Sequence, residues 1–168
     1  YREKLANGLW ALTQSSAPGS DLQLLISRSF AINAQTPEQT AKIRELLNGG
    51  APGLKIDTDL RWYFLIALTE RGATTKAELD AELANDNTTT GNLAFETCLA
   101  AMPNSEAKAY AFNKVLNEDI VTSVRTALVA GFQRPIQRDL LEPFVTLYFE
   151  NLIKAWESKS YEGAAKYV

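Results

Sequence analysis

The sequence predicts an all-α fold of stacked antiparallel helix pairs, a HEAT- or armadillo-like α-solenoid. Start and stop signals for helices recur along the whole chain, while patterns typical of β-strands are nearly absent. Apolar residues repeat at intervals of three and four, which places them on one face of a helix. The more apolar segments start near residues 21, 58, 88 and 119, so successive starts lie 37, 30 and 31 residues apart. Such a recurrence of helix pairs, at a period of roughly 30 to 40 residues, is typical of a solenoid.

The first part of the chain gives three predicted helices. The first lies in YREKLANGLWALTQ, at the very start. The second follows Ser20, a residue type common at helix starts, and its predicted apolar face consists of Leu22, Leu25, Ile26 and Phe30. The third begins at TPEQ, residues 36–39, which is a capping box with proline at the first helical position, and it stops at the Asn-Gly-Gly of residues 48–50.

The fourth predicted helix lies in IDTDLRWYFLIALTERG, residues 56–72. Asp57 or Thr58 is placed to cap its start, and Gly72 is placed to end it. Because a helix that is apolar on all sides is buried on both sides, this segment is predicted to be an inner helix of the stack. A buried strand over WYFLI is the alternative, but the length, the caps and the glycine favour a helix.

Three adjacent aromatic residues, Trp62, Tyr63 and Phe64, either line a ligand site or pack inside the scaffold. Packing is the favoured interpretation because aromatic side chains most often contribute to a core. The nearby carboxylates Asp57 and Asp59 are interpreted as helix-start residues rather than as an acid/base pair, since negative charge is favourable at a helix N-terminus.

The remaining part of the chain gives five more predicted helices. The fifth begins at Thr75 in TTKAELDAELAND, and the sixth lies in NTTTGNLAFETCLAAM before Pro103. The seventh is predicted to be capped by Ser105. In the eighth, DIVTSVRTALVAGFQ, Gly131 predicts close packing of two helices. The ninth, PIQRDLLEPFVTLYFENLIKAWESKS, is predicted to be interrupted at Pro143, because an interior proline removes a helix hydrogen bond.

The composition is that of a globular protein and excludes several partners. Of 168 residues, 46% are hydrophobic and 22% are charged, and the net charge is −3 with lysines and arginines scattered along the chain. This distribution argues against an electrostatic surface for nucleic acid or for an anionic membrane. No segment approaches the ~18 consecutive apolar residues of a membrane-spanning helix. We therefore expect no nucleic-acid and no membrane partner.

The chain has no histidine and a single cysteine, Cys98. The absence of histidine excludes histidine general bases, Ser–His and Cys–His nucleophile pairs, and the usual zinc ligand sets. One cysteine forms no internal disulfide, which is typical of a reducing compartment, so a cytoplasmic location is expected. Cys98 itself is interpreted as a small buried apolar side chain rather than as a reactive thiol. Taken alone, these residues contain no catalytic site.

The order of several segments resembles the C-terminal helical domain of bacterial aminopeptidase N, which is shared with the endoplasmic-reticulum aminopeptidases. The resemblance is carried by APGLKIDTDLRWYFLIALTERGATTKAELDAELANDNTTTG, then EAKAYAFNKVLNED, VAGFQ and LLEPFVTLYFENLIKAWESKSYE. It extends from about Ser15 to Tyr161, and the actinobacterial-type enzymes look most similar through DTDLRW, the AELDAELA segment and AGFQ. The implied parent is a zinc metallopeptidase of the gluzincin class that removes single residues from the N-termini of peptides.

The resemblance implies that this chain is a non-catalytic part of such an enzyme. The family holds zinc with His-Glu-x-x-His and a downstream Glu, and it binds the peptide N-terminus with Gly-x-Met-Glu-Asn, but this sequence contains neither motif. We expect residues 1–168 to be one helical-repeat domain, a fragment of a larger C-terminal domain, with no cofactor of its own. Zinc is expected in the catalytic domain elsewhere in the polypeptide, and this chain alone should be inactive.

In the family this helical domain folds back over the catalytic domain, encloses the active-site chamber and controls peptide access. The expected partners are therefore the catalytic domain of the same polypeptide and peptide substrates. Arg61, the single charge between Leu60 and Leu68, is the candidate for substrate contact in the chamber. The alternative is an arginine paired with a nearby carboxylate inside the helix stack. A second function stays open, namely a free-standing helical-repeat scaffold that binds a protein partner on its concave face.

Overall fold

The computed structural model describes residues 1–158 and 165. Within those residues the chain forms nine α-helices and one short 3-10 helix, and no β-strand. The α-helices are α1 (Arg2–Ser15), α2 (Asp21–Asn33), α3 (Pro37–Leu47), α4 (Thr58–Thr69), α5 (Lys76–Asn85), α6 (Thr89–Ala101), α7 (Ser105–Asn117), α8 (Thr122–Phe132) and α9 (Arg138–Ser158), and the 3-10 helix is Pro135–Gln137.

The chain divides into two compact units, Tyr1–Ala73 and Thr74–Val168. In the first unit α1 packs on α2, and α4 packs on both α2 and α3. In the second unit α6 packs on α5, α7 and α8, while α7 also contacts α8 and α9. The predicted all-α fold of packed consecutive helices, of the α-solenoid type, is confirmed. That residues 1–168 form one domain stays a prediction.

Local side-chain caps fix the starts of α3 and α4 as the sequence predicts. Thr36 Oγ1 accepts a hydrogen bond from the Gln39 backbone N–H at 3.2 Å, and Gln39 Oε1 accepts one from the Thr36 N–H at 3.3 Å. Asp57 Oδ1 accepts from the Leu60 N–H at 2.9 Å, so Asp57 is the cap of α4 and Thr58 its first residue. These carboxylate and hydroxyl groups pair the N–H groups that the first turn of a helix leaves unpaired.

The prediction that Ser105 caps α7 is wrong by one residue. Asn104 is the cap, and its Oδ1 accepts from the Ala107 N–H at 2.8 Å, while Ser105 is the first helical residue. Asparagine and serine are about equally good at this position, so residue type alone does not choose between two adjacent candidates.

The aromatic run of α4 packs inside the first unit. Trp62 is 4% exposed and Phe64 is fully buried, as predicted for an inner helix. Tyr63 is half-buried, meets Phe64 edge-on with 6.3 Å between ring centroids, and donates a hydrogen bond from its hydroxyl to Arg28 O at 3.4 Å. The Arg28 guanidinium lies 5.2 Å from the centre of the Tyr63 ring. The three aromatics therefore belong to the scaffold.

The apolar face predicted for α2 is confirmed in part, because Ile26 and Phe30 are buried. Leu22 and Leu25 are exposed, whereas Gln23 and Ser27 are buried beside Phe30. Gln23 is buried because its amide is fully used: Nε2 donates to the backbone carbonyls of residues 13 and 52, at 3.4 and 3.2 Å, and Oε1 accepts from the N–H of residue 19. A polar side chain enters a core when its hydrogen bonds are replaced there.

The predicted interruption at Pro143 is also wrong, because α9 is a continuous helix of 21 residues that contains it. Pro143 is exposed, so the one missing backbone hydrogen bond lies on the solvent side. On the other side Tyr148, Leu152 and Ala155 pack against the core cluster around Leu128 and continue the helix beyond the proline. The end of the resemblance, residues 159–162, lies outside the described residues.

The helix ends are closed in two ways. α3 and α4 are followed by Gly49 and Gly72, whose φ angles of 84° and 70° suit a glycine terminator. Four other helix ends are closed by a side chain from elsewhere in the same unit, and we call these contacts distant caps. The distant caps are Gln23 Nε2 to Thr13 O (3.4 Å), Arg71 Nη2 to Ala34 O (2.7 Å), Arg125 Nη1 to Val115 O (2.6 Å) and Gln137 Nε2 to Ala101 O (2.7 Å).

Candidate functional site

Arg61, the residue that the sequence marks for substrate contact, lies in the first turn of α4 and is half-buried. It stands between the fully buried Leu60 and the nearly buried Trp62. Its backbone is therefore held in place by a packed helix. A role in substrate contact stays a prediction.

No metal-binding cluster appears in the part of the chain that the structure describes. Within residues 1–158 and 165, no group of three or more His, Cys, Asp or Glu side chains lies close enough to hold a metal ion. Together with the absence of histidine from the sequence, this means that these residues do not fit a catalytic zinc ion. Cys98 is fully buried, as predicted for a small apolar side chain.

An apolar pocket of about 370 Å³ lies between α7, α8 and α9 in the second unit. It is formed almost entirely by hydrocarbon and aromatic groups. Its lining residues are Ala111, Phe112, Val115, Val129, Phe132, Gln133, Leu141, Phe144, Val145, Tyr148 and Phe149. Since no lining side chain is charged, the surface suits an uncharged apolar group.

A triad of phenylalanines forms one wall of this pocket. The ring centroids of Phe112 and Phe144 are 5.2 Å apart, those of Phe132 and Phe144 are 5.3 Å apart, and those of Phe112 and Phe132 are 6.1 Å apart. Tilted and edge-on rings at these distances attract each other beyond simple burial. The wall is therefore a packed aromatic surface.

The pocket continues into an exposed apolar stripe along α9. Val145, Phe149, Ile153 and Trp156 follow one another at helical spacing, and each is about half exposed or more. These four side chains form an exposed apolar row that extends the pocket lining along α9. The sequence did not predict the pocket, because its lining residues come from three different helices. It did not predict the exposed stripe either, because apolar residues lie on most sides of α9 and the pattern does not show which side is exposed.

A polar cluster joins α6 and α7 in the second unit. Lys114 Nζ donates to Glu96 Oε1 at 2.8 Å and to the Tyr110 hydroxyl at 2.8 Å, and that hydroxyl donates to Glu96 Oε2 at 2.7 Å. Burial lowers the pKa of Lys114, but its hydrogen bonds to Glu96 and Tyr110 outweigh burial and leave the pKa above its ordinary value. Burial raises the pKa of Tyr110. Lys114 lowers this pKa and Glu96 raises it, and the pKa of Tyr110 stays above its ordinary value.

Glu96→Gln is expected to lower the free energy of unfolding by less than about 1 kcal/mol near neutral pH, because the cluster is partly exposed. A lysine whose pKa is raised in the folded state stabilises fully below its unfolded pKa of about 10.4, and it loses this contribution as the pH rises through the folded pKa. The difference between variant and wild type should therefore shrink above about pH 10. Urea unfolding at several pH values measures this difference in the free energy of unfolding. The control is Glu142→Gln, at an exposed position. A difference that is constant across this range would contradict the assignment.

No helix within residues 1–158 is long and apolar enough to cross a membrane.

Comparison with known proteins gives two matches. The profile of the ERAP1-like C-terminal domain matches residues 1–168. Aminopeptidase N of Streptomyces lividans is 39% identical over 154 residues, which cover 90% of this chain. The chain spans only 18% of the length of that relative.

Proposed function

Because the chain belongs to the family of ERAP1-like C-terminal domains, we propose that it is the non-catalytic C-terminal domain of an aminopeptidase N. The observation that carries this proposal is the 39% identity to Aminopeptidase N over 90% of the chain. In this function the chain encloses the active-site chamber of an enzyme that removes N-terminal residues from peptides, and it controls the access of peptides to that chamber.

The chemistry belongs to another part of the polypeptide in this proposal. Zinc and the catalytic residues lie in a catalytic domain, since this chain has no histidine and its described residues do not fit the metal. The partners of the chain are that catalytic domain and the peptide substrates, with neither nucleic acid nor membrane involved. A cytoplasmic location fits a chain whose single cysteine can form no internal disulfide.

A comparison of the isolated chain with its parent protein tests the proposal. The isolated chain is expected to bind no zinc in equilibrium dialysis and to cleave no aminoacyl reporter substrate. The full-length gene is expected to encode His-Glu-x-x-His upstream of Tyr1, and its product to cleave the reporter. Zinc-dependent cleavage by the isolated chain, or a full-length gene without that motif, would overturn the proposal.

Enclosing a chamber requires a wall of fixed shape, and the packing of this chain supports that requirement. Its aromatic helix α4 is largely buried, and four of its helix ends are closed by distant caps. Within each unit the helices are therefore fixed by specific polar contacts as well as by apolar packing.

Arg61 is proposed to contact the part of the peptide that lies away from the scissile bond. In the full-length enzyme, Arg61→Ala is expected to raise KM for long peptides roughly tenfold, because a charge-assisted hydrogen bond is lost. The kcat and KM for a single-residue aminoacyl reporter should not change, since so short a substrate does not reach this residue. Steady-state kinetics with both substrates measures the split.

Two further variants separate substrate contact from a structural role of Arg61. Arg61→Lys should keep part of the effect on long peptides, because it retains the charge but not the planar guanidinium. Arg2→Ala removes an exposed arginine from α1 and should change kcat and KM for neither substrate. If Arg61→Ala affects the reporter and the long peptide equally, or neither of them, Arg61 does not contact the substrate.

A further inference from the structure

Lys108 on α7 is a fully buried lysine, at 0% exposure. Lysine is almost never fully buried unless its charge is compensated. Its Nζ donates to three backbone carbonyl oxygens, Ala100 O at 2.8 Å, Phe132 O at 3.2 Å and Gly131 O at 3.3 Å. An ammonium group has three N–H donors, whereas a neutral amine has two. The number of acceptors therefore matches the protonated form.

The three carbonyls come from two helix ends. Ala100 lies in the last turn of α6, and Gly131 and Phe132 are the last residues of α8. Terminal carbonyls carry the partial negative charge of the helix dipole, so a cation is favourable there. The same Nζ lies 5.8 Å from the centre of the Phe132 ring, whose face also attracts a cation.

We propose that Lys108 is protonated in the folded protein and acts as a built-in cation that ties the ends of α6 and α8 together. It thereby positions Phe132, whose ring forms part of the aromatic wall of the apolar pocket. Lys108 is in this sense a positioning residue. The inference concerns the second unit alone and does not depend on the proposed function.

The charge state is measured directly on the unaltered chain. In protein labelled with ¹⁵N, the Lys108 side chain is expected to give the nitrogen signal of an ammonium group, with protons that exchange slowly because the site is buried. Scalar couplings from this nitrogen to the carbonyl carbons of residues 100, 131 and 132 would identify the acceptors. A signal typical of a neutral amine at neutral pH would overturn the proposal.

Chemical rescue of a Lys108 variant tests whether the charge of the side chain, rather than its volume, holds the ends of α6 and α8 together. Lys108→Ala removes three carbons and the nitrogen, and it is expected to lower the midpoint of thermal unfolding by roughly 6–20 °C. Propylammonium has the same four heavy atoms and should restore part of this loss. Propan-1-ol has nearly the same size without the charge and should restore none. Equal rescue by the two compounds would overturn the proposal.

Two controls keep the result interpretable. Lys114→Ala removes a partly exposed lysine from the same helix and should gain nothing from propylammonium. The wild-type protein should gain nothing either, since its own ammonium occupies the site. If Lys108→Ala does not fold, the nitrogen signal of the wild-type protein still decides the charge state.

Discussion

Phe64→Ala should lower the free energy of unfolding by about 3–5 kcal/mol, which is the usual cost of removing a fully buried phenylalanine. Phe64 is fully buried in α4 and meets the Tyr63 ring edge-on. Its removal loses the burial of a ring and leaves a cavity that the neighbouring helix backbone fills only in part. Urea unfolding followed by far-ultraviolet circular dichroism measures the loss.

The control for this prediction is a phenylalanine on the surface. Phe149 is 65% exposed, so Phe149→Ala should change the free energy of unfolding by less than about 1 kcal/mol. Comparable losses for Phe64→Ala and Phe149→Ala would contradict the assignment of the α4 aromatics to the core.

Gly131→Ala should destabilise the protein by about 1–3 kcal/mol, although alanine is the better helix former. A Cβ atom at this position would lie 2.7 Å from Ala100 Cβ and 3.1 Å from the backbone nitrogen of Ala101, and it would also clash with the carbonyl oxygen of Thr97. α6 and α8 therefore cross too closely for a methyl group, which confirms the close packing that the sequence predicts at Gly131. Thermal and urea unfolding of the variant measure the cost.

The same substitution has a matched control in the first unit. Gly8 lies within α1, and a Cβ atom there would meet no other atom within 4 Å. Gly8→Ala should therefore stabilise the protein by about 0.5–1 kcal/mol, through helix propensity alone. If both glycine substitutions stabilise, the approach of α6 and α8 at Gly131 is wider than the structure has it.

The features that the sequence predicts well are those that depend on neighbouring residues. The capping box of Thr36 and Gln39 needs only the four residues it spans, and the structure has both of its hydrogen bonds. The burial of Trp62 and Phe64 follows from a helix that is apolar on nearly all sides, so no knowledge of its neighbours is needed. Local chemistry decides both features.

The features that the sequence does not predict depend on distant residues. Gln23 is buried in place of Leu22 because its amide reaches carbonyls 10 and 29 residues away, and no local pattern encodes these contacts. α9 continues through Pro143 because its other face packs on the core of the second unit. The pocket and the Glu96 cluster likewise arise only after separate helices come together.

The candidate functional residues also differ in how much of their role neighbouring residues reveal. The scarcity of charge around Arg61 draws attention to it from the sequence, but substrate contact depends on which surfaces face it in the longer enzyme. Lys108 has no such signal, because SEAKAYAF reads as an ordinary amphipathic segment. Only the three carbonyls around its ammonium distinguish it from the many solvated lysines of helical proteins.

The distant caps determine at which helix boundaries the chain can be shortened without loss of stability. A chain shortened to end after α7 would keep all of α6, yet it would lose Gln137 and with it the donor to Ala101 O. It would also lose Arg125, the donor to Val115 O at the end of α7. The ends of α7 and α6 thus depend on residues that lie 10 and 36 positions later in the chain. Shortening, duplication or exchange between related proteins should therefore be tolerated for whole groups of helices and not for single helices.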